Sequence, residues 1–169
     1  MKKILILFIS AMLYSCDDGD LQIETINFDD SNIQFCGSQA TTSTSLLFKI
    51  NGEEALLLTL KEGMLKNEAS QGEIAYPISG DTKVTYRIFS DKLTKNYFCD
   101  AIPPIAPTVV EEIVAQKGTV YITTTQKTEG ETTSYEHLIR LGDITLLNNS
   151  NDQRITDLRI NNFGTVSTK

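Results

Sequence analysis

Residues 45–61 read SLLFKINGEEALLLTLK, two apolar runs on either side of Asn51 and Gly52. Asn-Gly accepts the positive φ angles of a type I′ turn, so the two runs are expected to fold back on each other as a β-hairpin. The rival is a helix over residues 53–65, because Leu56, Leu57, Leu58, Leu60 and Leu65 are good helix formers. The strand reading is preferred.

Short strand-like runs recur along the chain. LQIETINF at 21–28 alternates in part, and DDSN at 29–32 supplies turn chemistry. GEIAYPIS at 72–79 is cut by Pro77, which suits an edge strand, and SGD at 79–81 is a turn. TKVTYRIFS at 82–90 alternates cleanly, with Val84, Tyr86 and Ile88 on one face and Thr85, Arg87 and Phe89 on the other. Between Asp91 and Pro107 the pattern lapses, and IPPIAP at 102–107 holds three of the four prolines, so no regular element is expected there.

From Val109 onward the spacing of strands and turns resumes. GTVYITTTQK at 118–127 turns at TEGE (128–131), and TTSYEHLIRL at 132–141 runs back. Gly142 and Asp143 interrupt the next stretch in the manner of a bulge, NNSND at 148–152 is another turn, and QRITDLRINNF at 153–163 closes the pattern. Seven to nine short strands with few helices predict an all-β fold, an antiparallel immunoglobulin-like β-sandwich. The chain has no tryptophan, and its cysteine pair is not placed to span two sheets in the antibody manner, so this is architecture and not membership.

The amino terminus is different in kind. Lys2 and Lys3 precede a short apolar run from Ile4 to Met12, then Leu13, Tyr14, Ser15 and Cys16. A bilayer-spanning helix needs about 20 apolar residues, so a removable export signal over residues 1–15 is expected. Leu13, Tyr14, Ser15 and Cys16 resemble the bacterial lipobox, Leu-x-small-Cys, residue by residue. The resemblance implies cleavage before Cys16, a thioether-linked diacylglycerol on its sulfur and a further acyl chain on its new amino group, together a durable membrane anchor. The alternative is a plain secreted protein with an incidental cysteine.

Removal of the signal leaves 154 of the 169 residues, divided into an acidic tether at 16–20 and a single β-sandwich domain at 21–169. The signal takes two lysines and no acids with it, which moves the formal charge from −7 to −9. That balance argues against nucleic acid and anionic headgroups as partners and leaves the acyl chains on Cys16 to hold the membrane. Cys36 and Cys99 remain, an even pair without CxxC spacing in an exported chain, and one disulfide is the simplest pairing. A reactive or metal-binding thiol is the alternative.

The mature chain is similar to uncharacterised small lipoproteins of the Bacteroidota, flavobacterial ones especially. The likeness rests on Cys16 followed by DDGD, YFC (97–99) with IPP (102–104), KGTVYITT (117–124), and YEHLIRLGDITL (135–146) followed by NNFG (161–164). It implies no reaction, cofactor or ligand. Acidic residues after the lipidated cysteine, here Asp17, Asp18 and Asp20, resemble the export signal of that phylum to the outer face of the outer membrane. In enteric bacteria Asp17 resembles a signal for retention at the inner membrane, so a periplasm-facing address stays open.

No catalytic constellation is legible. A nucleophile needs a base within hydrogen-bond reach, and His137 is the one histidine, set in an alternating strand with Tyr135, Ile139 and Leu141 as a satisfied strand histidine would be. One histidine and two bonded cysteines do not make a zinc site. Asp29 with Asp30 and Glu111 with Glu112 are neighbours in sequence, so on a strand they point to opposite faces and do not form the facing pair of a glycoside hydrolase. Asp17, Asp18 and Asp20, or residues 148–152, offer clustered oxygens for calcium without the spacing of an EF-hand. Tyr76, Tyr86, Tyr97, Tyr121 and Tyr135, and the threonines at 123–125 and 132–133, would serve either as sugar-binding surface or as ordinary packing and solvated sheet. The expectation is a non-catalytic binding or structural module of the cell envelope, with no cofactor and no metal, whose partner is an envelope protein or a glycan. A surface carbohydrate-binding accessory is the alternative, and a carboxylate-dependent hydrolase a distant one.

Overall fold

The computed structural model describes residues 26–148, 153–155 and 161–169. The expected signal, Cys16 and the acidic tether lie outside the described residues, as do 21–25, most of the turn expected at 148–152, and 156–160.

The 45–61 segment forms the hairpin, and the rival helix is absent. β1 (Gln34–Phe35) pairs with β2 (Leu46–Asn51), and β2 with β3 (Glu54–Thr59). The turn sits one residue later than Asn-Gly suggests. Asn51 pairs with Glu54 across a two-residue loop of Gly52 and Glu53, with positive φ (63°) at Gly52 alone, the first central position. That pattern belongs to a type II′ turn, in which glycine is needed first and most residues fit second.

β4 (Ile74–Pro77) is the expected edge strand and lies against β6 (Val109–Glu129), while β5 (Lys83–Phe89) pairs with β3 on one side and β6 on the other. β7 (Thr132–Asn148) returns along β6, and its far edge takes β8 (Gln153–Ile155) at one end and β9 (Asn162–Thr168) along the other. The closing stretch expected at 153–163 therefore contributes to two strands, which pair with different parts of β7, and residues 26–28 are not a strand.

All strand pairs are antiparallel, as expected. In place of two immunoglobulin-like sheets, the nine strands form one sheet curled into a half-barrel: β1, β2, β3, β5, β6, β7 and β8 follow one hydrogen-bonded path, with β4 branching from β6 and β9 from β7. The cause is the length of β6. Its first part pairs with β5, and after register shifts between Ala115 and Thr119 its second part pairs with β4 and β7. Bulges raise local twist without ending a strand, so one strand serves both halves of the curl.

The concave face holds the main core. Leu47, Leu56, Leu58, Val84, Tyr86 and Ile113 from β2, β3, β5 and β6 meet Val120, Ile122, Ile139, Leu141, Phe163 and Val166 from the rest of the curl. Residues of opposite parity on the same strands, Phe48, Ala55, Leu57 and Phe89, face outward and are covered by Leu93, Tyr97, Phe98 and Cys99. The irregular 91–107 crossing thus contains one helical turn, α1 (Asn96–Cys99), which caps the back of the sheet. Cys36 and Cys99 are disulfide-bonded with Cα atoms 5.2 Å apart, tying this cover to the strand edge just after β1. The bond closes a span of 63 residues, for which chain entropy gives about 4 kcal/mol.

Candidate binding site

His137 lies on the concave face of β7, fully buried. It stands directly across from Thr124 on β6, whose hydroxyl is 2.9 Å from Nδ1, and Nε2 is 2.9 Å from the Thr168 hydroxyl on β9. Thr168 in turn donates to Asn67 Oδ1 at 2.6 Å, so its oxygen accepts from Nε2–H, and Nδ1 accepts the Thr124 proton. Burial lowers the imidazole pKa and favours this neutral form. Both ring nitrogens are engaged within the protein, and the network closes one end of the core under residues 61–71.

That crossing segment is tied to β6 by Ser70, whose N–H donates to the Thr124 carbonyl and whose Oγ accepts the Thr124 N–H, each at 2.9 Å. Two shallow clefts flank it, of about 330 and 510 Å³, with Met64, Lys66 and Tyr76 lining both. Three of the other tyrosines are committed elsewhere, and Tyr135 is half-buried on β7. Tyr86 is buried and donates to Glu54 at 2.9 Å, Tyr97 packs edge-on against Phe89, and Tyr121 lies under Arg140, which is itself paired with Glu73 through two 2.8 Å bonds.

The expected carboxylate neighbours do not come together as a facing pair. Glu112 bonds to Arg87 on the outer face, and Asp29 and Asp30 form an exposed turn. Among the described residues no three His, Cys, Asp or Glu side chains cluster as a metal site. The calcium candidates at 17–20 and 149–152 lie outside those residues.

The site that sequence reasoning missed is built on Lys49. On β2 it has the parity of Leu47, so it points into the concave face and is only 5% exposed. Its ammonium donates to the Phe28 carbonyl at 3.0 Å and stands 5.8 Å from the centre of the Phe163 ring. An ammonium carries three donors, and Phe28 O is its one hydrogen-bond acceptor among the described residues. Burial depresses the Lys49 pKa, and the charge of Asp29 offsets this in part. The side chain lies at a polar cleft of about 590 Å³ lined by Asp29, Ser31, Asn32, Asn162 and Thr165. The 26–33 segment that forms one wall is anchored to the β2–β3 turn region, with Ser31 Oγ donating to the Ile50 carbonyl and Asn51 Nδ2 to that of Asn27. A cation set among hydroxyl, amide and carboxylate groups suits a ligand that both donates and accepts hydrogen bonds. The signal available in sequence was a lysine at a core-parity position in LLFKIN.

Comparison with known proteins finds no matching family model, no matching curated protein and no matching solved structure. The functional reading rests on this chain's own chemistry.

Proposed function

We propose that this chain is a lipid-anchored protein of the cell envelope, held by acyl chains on Cys16, that acts by binding and not by catalysis. The observation that carries the anchor is the sequence Leu13–Tyr14–Ser15–Cys16 behind a short apolar run. The Cys36–Cys99 disulfide suits an oxidising compartment. The engagement of both His137 nitrogens in internal bonds supports a non-catalytic role. Display on the outer membrane surface follows from the acidic tether, with a periplasm-facing orientation as the other arrangement. The C16A variant tests the anchor: loss of acylation and release from the membrane fraction are expected, and continued acylated membrane association refutes it. Protease shaving of intact cells decides the face.

The Lys49 cleft favours a second reading, a carbohydrate-binding accessory. A sugar hydroxyl accepts from a lysine ammonium while donating to a carboxylate such as Asp29, and the neighbouring asparagines and Thr165 offer further donors and acceptors. A glycan array run with the native protein and with K49M tests it. Hits lost in the variant support the reading, and a flat response from the native protein ends it.

A further inference from the structure

The loop that joins α1 to β6 is built to be apolar and exposed. Ile102 and Ile105 are 86% and 97% exposed, and Val110, just inside β6, is 67% exposed. Residues 101–110, AIPPIAPTVV, carry no charged side chain, in a chain of which 22% is charged. A few residues earlier Leu93, Tyr97 and Phe98 are packed onto the back of the sheet, so apolar side chains in this region have a place to go, and these isoleucines do not take it.

Fraying does not account for the exposure, because both stems are fixed. Cys99 is bonded to Cys36, and at the far stem the Ser90 N–H donates to the Thr108 carbonyl at 2.9 Å while the Thr108 N–H donates to Ser90 Oγ at 3.0 Å. We propose that this loop is a bilayer-contact element that seats Ile102 and Ile105 in the lipid interface of the membrane to which the chain is anchored. The proposal rests on the lipid-anchor reading for the nearness of that membrane.

The prolines favour lipid over a partner strand, and two further observations bear on which membrane surface it is. Pro103, Pro104 and Pro107 have no N–H, so half of the six residues 102–107 bring no backbone donor to desolvate, and a partner strand would find few donors to pair with. The spacer from Cys16 to Ile26 reaches at most about 35 Å when extended, which holds Ile26 within that distance of the headgroups. The flanking acids Asp100, Glu111 and Glu112 and the negative mature charge match a zwitterionic surface and not an anionic one.

The chain contains no tryptophan, so I105W places a single indole at the tip, at a position exposed enough to leave the fold intact. The acylated full-length mature protein carrying I105W is reconstituted into phosphatidylcholine vesicles with and without brominated phosphatidylcholine. E131W, at the tip of the β6–β7 hairpin, is the control. Emission from I105W shifted to shorter wavelength and quenched several-fold more than that of E131W is the expected result, with the quenching reduced about tenfold when I102S is added. Equal weak quenching of I105W and E131W in protein that mass spectrometry shows to be acylated overturns the loop proposal and leaves the anchor standing. Strong quenching of I105W in protein that carries no acyl chain keeps the loop proposal and removes the anchor reading. A blue shift that grows with protein concentration in the absence of vesicles overturns the proposal in favour of contact with a second copy.

Discussion

Replacing Lys49 with methionine is expected to make the protein more stable while removing its cleft chemistry. Lys49 is 5% exposed, and its ammonium has one carbonyl acceptor at 3.0 Å among the described residues and one aromatic ring centre at 5.8 Å. Those contacts are worth about 2–4 kcal/mol together, against several kcal/mol for taking the charge out of water. Methionine keeps the unbranched shape, packs on Leu47 and Phe163, and drops the charge, so K49M should gain about 1–2 kcal/mol at pH 7, a rise in Tm of about 3–6 °C. The pH dependence sharpens the test. Lys49 has a lowered pKa in the folded state, so between that value and 10.5 the unfolded chain holds more protons than the folded one, and native stability climbs with pH. K49M lacks that share of the climb. Urea unfolding of both proteins from pH 7 to 10.5 measures it. A loss of more than about 1 kcal/mol at pH 7, or an unchanged alkaline slope, would refute the reasoning.

Three further outcomes follow from other parts of the fold. The C36S/C99S double variant should lose up to about 4 kcal/mol in urea, and adding reductant to the native protein should reproduce most of that loss. Burial holds the His137 pKa below 6.5, so stability present above pH 6.5 should fall as pH drops toward the folded-state value, while H137L should show no such decline; denaturation midpoints at pH 7.5 and 5 compare them. A Cβ on Gly118 would stand 2.5 Å from Ile144 Cδ1 and 3.2 Å from the Gly142 carbonyl, so G118A should cost about 2–3 kcal/mol, read as a lower Tm by calorimetry.

The local pattern revealed the strands more readily than their partners. Val84 and Tyr86 declare β5 by parity alone, and Asn51–Gly52 announces a hairpin, though the turn falls on Gly52–Glu53 because the cross-strand register of Leu47 with Leu58 fixes the loop. β6 was obscured. Gly118 reads as the start of a strand, yet β6 runs on through it at a φ of 146°, which glycine accepts, and the register against β7 shifts there without ending the strand. β9 was missed because the periodicity seemed complete at Phe163, while Thr168 finds its place only against Tyr135, 33 positions back. Site chemistry was harder still. The partners of His137 lie 13 and 31 positions away, and Lys49 looks like any surface cation until its parity with Leu47 is noticed.

The β6–β7 hairpin has one more consequence. Its middle is flanked by β4 at residues 119–122 and by β9 at 135–140, but residues 125–134 extend past both as a two-stranded ribbon with no flanking strand among the described residues. Amide exchange along this one hairpin should therefore span nearly the whole range the protein can show. The amides of Val120, Ile122 and Ile139 should be released only by global unfolding, and those between Lys127 and Thr133 by opening of the ribbon alone. A clock that runs at two rates along a single pair of strands would report, in one experiment, where the cooperative body of the molecule ends and its projecting arm begins.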